Sequence, residues 1–352
     1  MLKFTQCLIV KNEELNLPRA LSWGKDIFDE QIVVDTGSSD NTVAIAEKLG
    51  AKVVHFQWID DFSAARNFAI TKCTGDWIFF LDADEYFKDG DVQLLRPLIE
   101  KIDGNYAAEK DKKRCYNVVE TPWVNLADNN ASRQVRIFRN VPYLRYVGVL
   151  HEQLQAMPLS GGYLKVYPIK DTPAIYHTGY VWSEDNSKEV KGRRNFKIAK
   201  KALEKSPDSA KLKLFAAEAL MFEGRYNEAE RYFFEAMKNS DGSIWPERAC
   251  EGYKQWLSIY LNMDNSGMET SYILGMAFRA YSEAASKFPD DADFDVLMSL
   301  VTFKAKDIKS TIHFFRVSLS KNGGKISENL MASNKEIFKR LRDICEKLNT
   351  EK

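Results

Sequence analysis

Short apolar runs recur through the first hundred positions, and a helix-spaced segment follows each of them. "FTQCLIV" (4–10) predicts a buried strand, followed by a helical stretch through Leu15, Leu17 and Leu21. "QIVVD" (31–35), "AKVVHF" (51–56) and "DWIFFLD" (76–82) predict three more strands. Between and after them, "NTVAIAEKLG" predicts a helix stopped by Gly50. "FSAARNFAITKC" (62–73) predicts one with Ala65, Phe68 and Ala69 at helical spacing, and "VQLLRPLIEKI" predicts another. Strands apolar throughout, alternating with helices, predict an α/β unit with a mainly parallel sheet, because parallel strands are covered on both faces and joined by crossovers.

Residues 105–182 are less regular. "CYNVVETPW", "RQVRIFR" and "AIYHTGYVW" predict strands between polar loops that complete the sheet and build the second side of a cleft. From about Ser187 the period becomes helical. In "AKLKLFAAEALMFEGRYNEAERYFFEAMKNS" (210–240), small Ala216, Ala229 and Ala236 alternate with large Leu220, Tyr226 and Phe233. That alternation is similar to a tetratricopeptide repeat, in which small residues let paired helices approach closely. "ADFDVLMSLVTFKAKDIKSTIHFFRVSLSK" (292–321) echoes it, with a long helical segment, 247–288, between the two. The expected division is an α/β domain over 1–185 and an all-α helical-repeat domain over 186–352.

Composition narrows the function classes. The 352 residues are 45% hydrophobic and 12% aromatic, enough for two packed cores. Fifty Lys plus Arg balance fifty Asp plus Glu, which argues against a nucleic-acid binder working through bulk charge. The five cysteines, Cys7, Cys73, Cys115, Cys250 and Cys345, form no C-x-x-C pair and read as reduced thiols of a cytoplasmic protein. The first apolar run meets Lys11 and two acids too soon for a signal peptide, and no stretch approaches the roughly 18 apolar residues of a membrane span.

In an open α/β sheet, ligands bind beyond the carboxyl ends of the strands. Four polar segments fall there: "VKNEE" (10–14), with Asn12 and Glu14 as donor-site candidates, "DTGSSDNT" (35–42), "WIDDFSAARN" (58–67) and "DADE" (82–85). Ser39 and Asp40 read as turn and cap residues; Asp35 sits before the turn, on the strand, where its carboxylate can meet a base N–H or ribose hydroxyls. Arg66 can present its planar fork to a base or phosphate. With no G-x-x-x-x-G-K-[ST] and no G-x-G-x-x-G after a strand, phosphate binding here calls for a cation. Asp82 and Asp84, at i and i+2 where a strand becomes a turn, can address one hard cation. A calcium loop is excluded, because Tyr86 and Phe87 stand where it needs a fifth-position ligand and a glycine.

"CLIVKNEE", "VVDTGSSDNTVAIAEKLGAKV", "FSAARNFAI" and "GDWIFFLDADE" together resemble the nucleotide-sugar half of a family 2 glycosyltransferase of GT-A fold. With "LHEQL" (150–154), "IYHTGYV" (175–181) and the repeat-like tail, the chain is similar to the branch that joins this domain to tetratricopeptide repeats, that of the sublancin S-glycosyltransferase. The resemblance is densest to about residue 100 and thins toward the C-terminus. It implies inverting transfer from a nucleotide-diphosphate sugar, a UDP-sugar by preference, with Mn²⁺ or Mg²⁺. Asp35 then matches the base-binding acid, Asp82 the acid facing ribose or metal, Asp84 the metal ligand and Arg66 a donor-side position. His177 is the expected third metal ligand.

An acceptor hydroxyl needs a general base, a thiol less so. Glu152 is the first choice, His151 the second. Trp58, Asp60 and Asp61 are placed along the donor site, and Trp123 and Trp182 as a sugar-stacking platform; His55 and His313 are read as structural, and Glu85 has no assigned role. Expected partners are the donor, a peptide, protein or glycan acceptor, and a second copy of the chain through the helical domain, with no nucleic acid. The competing readings are a non-catalytic interaction protein with a degenerate transferase domain, a transferase acting on lipopolysaccharide or polysaccharide, and a sugar-1-phosphate nucleotidyltransferase, against which the missing glycine-rich loop counts.

Overall fold

The computed structural model describes residues 1–104, 106, 108–126, 131–157, 161–168, 172–178, 187–238, 242–263, 269–321 and 326–350, with the backbone alone at 329 and 345–350. The chain divides into two compact units, Met1–Ser183 and Glu184–Lys352.

The first unit runs β1 (Phe4–Val10), α1 (Leu17–Ser22), β2 (Glu30–Asp35), α2 (Thr42–Lys48), β3 (Lys52–His55), α3 (Phe62–Ile70), β4 (Trp77–Phe80), β5 (Glu85–Phe87), α4 (Asp89–Asp103), β6 (Val118–Asn125), β7 (Ala131–Arg139), β8 (Leu144–Val147), β9 (Gln153–Ala156), β10 (Val166–Tyr167) and β11 (Ile175–His177). The main sheet has the order β3-β2-β1-β4-β7-β6-β11-β5, with β10 also paired to β6. It is parallel from β3 to β4, antiparallel where β4 meets β7 and β7 meets β6, parallel again from β6 to β11, and antiparallel from β11 to β5. β8 and β9 form a separate antiparallel pair.

β4 shows why its sequence is apolar without alternation. Trp77 and Phe79 pack into one cluster with Phe4, Phe87 and Leu95, while Ile78 and Phe80 pack into another with Cys7, Ile32 and Phe138. Both faces of the strand are covered, so it carries no polar period. Asp61 caps α3 by accepting from the Ala64 amide at 3.0 Å. Asn67 of that helix binds both backbone groups of Tyr146, donating to its carbonyl at 2.9 Å and accepting from its amide at 2.9 Å. The predicted third helix is thereby fastened to β8, and the Ser63 hydroxyl adds a bond to the Gly148 carbonyl.

Sequence reading missed β8, β9 and β10, and also β5, which starts at Glu85. Its three residues pair with β11, Glu85 opposite His177. A strand this short shows no period of its own and sits inside a charged turn.

The second unit contains α5 (Lys188–Lys205), α6 (Ala210–Phe222), α7 (Tyr226–Lys238), α8 (Pro246–Asn262), α9 (Thr270–Lys287), α10 (Ala292–Lys304), α11 (Ile308–Ser320), α12 (Glu328–Ser333) and α13 (Lys335–Thr350). The expected repeat pairs are α6 with α7 and α10 with α11; the long helical segment between them holds α8 and α9. Leu214, Phe233, Tyr253, Trp256 and Phe294 share one core with Ala217, Ala229, Ala236, Ala277 and Ala280. Alanine at these positions lets the helix axes come close. No helix among the described residues is long and apolar enough to cross a membrane.

Candidate functional site

Three polar segments follow the parallel strands β1, β2 and β4 at their carboxyl ends. At the end of β2, Asp35 is buried and its side chain accepts from the amides of Gly37, at 3.1 Å, and Ser38, at 3.0 Å. Gly37, at φ 107, supplies the left-handed turn that aims both amides back at the carboxylate. His55, opposite Asp35 on β3, brings Nδ1 to 3.3 Å from the same carboxylate. Burial alone would raise the Asp35 carboxyl; the bonds from Ser38, Gly37 and His55 outweigh it and hold it below the ordinary carboxylate value. His55, read from sequence as structural, is an exposed partner of the proposed base-binding acid.

Asn12 and Glu14 join two loops. The Asn12 amide donates to Ser38 Oγ at 2.9 Å and its side-chain oxygen accepts from the Ser39 amide at 2.8 Å. Glu14 accepts from the Asn41 amide at 3.0 Å and from its side chain at 2.9 Å. Both side chains tie the β1 loop to the β2 loop, which gives them a scaffold role in the structure.

The "DADE" turn is crossed by five charged side chains in a row. Arg66 of α3 lies over the rings of Phe80 and Tyr146, 4.8 and 5.2 Å from their centroids. It donates through Nη2 to Asp82 Oδ1 at 2.9 Å and through Nε to Glu152 Oε1 at 2.5 Å. Asp82 Oδ2 accepts from Arg136 Nη2 at 3.0 Å. Arg136, on β7, also binds Glu85 with a two-pronged contact, Nη2 to Oε1 at 2.7 Å and Nε to Oε2 at 2.8 Å. The order is therefore Glu85, Arg136, Asp82, Arg66, Glu152. Burial would raise the Asp82 carboxyl, but the two guanidiniums dominate and pull it down to about 2. Both arginines titrate above their ordinary range, because the carboxylates they face offset the cost of burial.

Asp84 points to a different partner. Its Oδ2 lies 2.7 Å from His177 Nε2, and the His177 ring packs against Trp123 with centroids 4.8 Å apart. Burial would lower the His177 imidazole; the Asp84 carboxylate overcomes that and raises it. Among the described residues, no group of three or more His, Cys, Asp or Glu side chains is placed to hold a metal ion. Any ion held by this pair needs other oxygens to complete its shell.

Of the predicted base residues, Glu152 has its side chain 12% exposed, with Oε1 on Arg66 and Oε2 without a partner among the described residues. His151, beside it, is exposed, with a left-handed backbone at φ 47. Trp58 donates to Asp60 at 3.1 Å and stacks edge-on against Phe62. Trp123 is turned inward, onto Glu85 and His177, and Trp182 lies outside the described residues. Arg136 and Glu85 were missed. The available signal was a charge inside an apolar strand, Arg136 between Val135 and Ile137, which asks for a buried counter-ion.

Residues 6–148 match the family model described as glycosyl transferase family 2. A TPR repeat-containing protein of Synechococcus elongatus is 38% identical over 187 residues, 51% of this chain and 43% of its own length. The SPbeta prophage-derived glycosyltransferase SunS of Bacillus subtilis is 28% identical over 238 residues, 66% of this chain and 52% of its own. The chain thus spans about half the length of these relatives. Among solved structures, TarS 1–349 of S. aureus with UDP-GlcNAc covers 88% of this chain and 89% of its own at 17% identity and a TM-score of 0.40, too low to bear on fold or function. The match over 6–148 identifies that segment of the N-terminal unit as a glycosyltransferase family 2 domain.

Proposed function

We propose that this chain transfers a sugar, with inversion, from a nucleotide-diphosphate sugar to a hydroxyl or thiol acceptor. The observation that carries the reading is the placement of Asp35, Asp82 and Asp84 after the carboxyl ends of β2 and β4, the two parallel strands that flank β1, with His177 beside the last. Asp35, kept ionised by its amide bonds, is the acceptor for a nucleobase N–H. Asp82, fixed by two guanidiniums, faces the ribose and sugar side.

The pair of Asp84 and His177 fits a hard divalent ion, Mn²⁺ or Mg²⁺, of the kind bound through one or two protein ligands plus substrate phosphates. Such an ion would neutralise the charge left on the departing diphosphate. Around it, Arg66 and Arg136 keep Asp82 ionised and in place. Glu152 Oε2 is the site for the proton of an acceptor hydroxyl. A thiol acceptor needs that step less, because its own proton is more acidic. Repeat domains build extended peptide-binding surfaces, which supports a peptide or protein acceptor over a glycan or lipopolysaccharide one, and a second copy of the chain can pair there too.

Purified protein with Mn²⁺ and a panel of UDP- and GDP-sugars should release free nucleotide slowly, and EDTA should stop the release. Absence of binding and of release for every donor would sink the proposal and favour a non-catalytic interaction protein.

A further inference from the structure

Glu85 is the most buried charge of the site, its side chain 1% exposed. Every acceptor position of its carboxylate is used. Oε1 accepts from Arg136 Nη2 at 2.7 Å and from the indole N–H of Trp123 at 2.8 Å. Oε2 accepts from Arg136 Nε at 2.8 Å and from the Asp82 amide at 3.0 Å. These are four donors on a group with about four lone-pair positions. They come from three elements, the "DADE" turn, β6 and β7, and β5, which carries Glu85, pairs with β11 opposite His177.

The two donors on Oε1 lead to opposite halves of the proposed site. Arg136 continues to Asp82 Oδ2 at 3.0 Å. Trp123 continues by ring contact to His177, which meets Asp84 at 2.7 Å. A neutral polar side chain at position 85 could not satisfy both prongs of the guanidinium and the indole at once, because an amide nitrogen donates where Arg136 needs an acceptor.

We propose that Glu85 is a positioning residue that sets two distant parts of the site from one buried carboxylate: Asp82 through Arg136, and His177 through Trp123. The proposal rests on the reading of Asp82, Asp84 and His177 given above. Glu85 touches neither donor nor ion. It fixes the side chains that do, as carboxylates behind metal-binding histidines do, where removal commonly costs about 10–100-fold in metal affinity or activity.

The test uses the full chain and three variants: Glu85→Gln, Arg136→Lys and Trp123→Phe. Three quantities are read on each: the Mn²⁺ dissociation constant from the electron paramagnetic resonance of the free ion, KM and kcat for donor hydrolysis, and the imidazole resonances of His177. With four histidines in the chain, those resonances are assigned by a His177→Gln variant. Glu85→Gln should weaken Mn²⁺ binding and kcat/KM by about 10-fold or more and move the His177 resonances. Trp123→Phe, which keeps a ring but loses the indole N–H, should move the His177 resonances and the Mn²⁺ affinity. Arg136→Lys, which keeps the charge but loses the fork, should instead change donor KM and kcat and leave His177 in place. The inference is overturned if Glu85→Gln leaves His177 and Mn²⁺ affinity as in wild type, or if the Trp123 and Arg136 variants show the same pattern of losses. Should Glu85→Gln fail to fold, that split between the other two variants decides alone. If wild-type protein neither binds nor hydrolyses any donor, the transferase reading falls, while the His177 resonances still report whether Glu85 positions that ring.

Discussion

Replacing Arg66 by methionine removes a guanidinium from between two carboxylates while keeping an unbranched chain to lie over Phe80 and Tyr146. The row then keeps three carboxylates and one guanidinium. Removing one partner of a buried ion pair costs about 3–5 kcal/mol, because a charge is left without compensation. Here the lower end applies to Asp82, whose side chain is 37% exposed and keeps Arg136. Glu152, 12% exposed, loses its partner. About 3 kcal/mol in a unit of this size lowers the melting temperature by roughly 6–12 °C. Circular dichroism melts at pH 7.5 read that shift directly. The paired variant Arg66→Met/Glu152→Gln removes the stranded charge and should recover about 1–2 kcal/mol.

The pH dependence follows from Asp82. Its folded value, about 2, lies below the ordinary 3.8, so its ionisation contributes stability that is present above pH 4 and lost as pH falls toward 2. The full shift would be worth about 2.4 kcal/mol. Screening at a partly exposed side chain reduces that to about 1 kcal/mol. Arg136 still holds Asp82 down in Arg66→Met, so the gap between wild type and that variant should narrow by only part of that amount between pH 5 and pH 2.5. A loss under 2 °C at pH 7.5, or a double variant no more stable than Arg66→Met, would refute the idea that these charges hold one another in place.

Asp84→Ala should abolish EDTA-sensitive donor hydrolysis while melting as wild type does; full activity would remove the ion from the proposal. Asn67→Ala strips partners from both backbone groups of Tyr146 and should cost about 1–3 kcal/mol in urea unfolding; no change in midpoint would mean that α3 is held to β8 by apolar packing alone. In the helical unit, Lys254 Nζ lies 2.8 Å from both Asp291 and Asp293, and burial is outweighed by these carboxylates so that the ammonium titrates above its ordinary 10.5. A raised folded value gives stability that is complete below pH 10.5 and lost as pH rises beyond it, so Lys254→Met should melt lower at pH 8 and vary less between pH 9.5 and 11.5. An unchanged alkaline slope would assign that dependence to other groups.

The strands of the first half were legible because burial on both faces writes itself as unbroken apolar runs, as in Ile78–Phe80. The loops were legible in place, since Asp35 and "DADE" end such runs. What sequence could not supply was which donors reach which acids. Asn12 and Glu14 stand where donor contacts were expected, yet their side chains close onto Ser39 and Asn41, partners 27 residues away in each case. Glu152, in "LHEQL", was the first choice of base; its engagement with Arg66 spans 86 residues and leaves no periodic trace. Long-range polar pairing is set by strand register, and register beyond β4 depends on antiparallel additions that the apolar pattern alone does not order.

Three acids crowd the end of β4, and from sequence a divalent ion was expected for Asp84, ribose or the ion for Asp82, and nothing was assigned to Glu85. The fold answers for two of the three from within the chain. Glu85 is neutralised by Arg136, and Asp82 is shared between Arg136 and Arg66. Only Asp84 faces away from both guanidiniums, toward an imidazole that can give up its proton. A guanidinium stays charged throughout the working pH range, whereas an imidazole does not. Asp82 is therefore locked in one state, while the Asp84–His177 pair, on the proposed reading, would exchange a proton for a metal ion. On the proposed reading, one motif would supply a fixed carboxylate for the sugar side of the donor and a replaceable contact for its diphosphate, and Asp82→Asn and Asp84→Asn should then fail differently. The first should lower stability along with turnover, since it leaves two buried guanidiniums short of a counter-charge; the second should lower turnover alone.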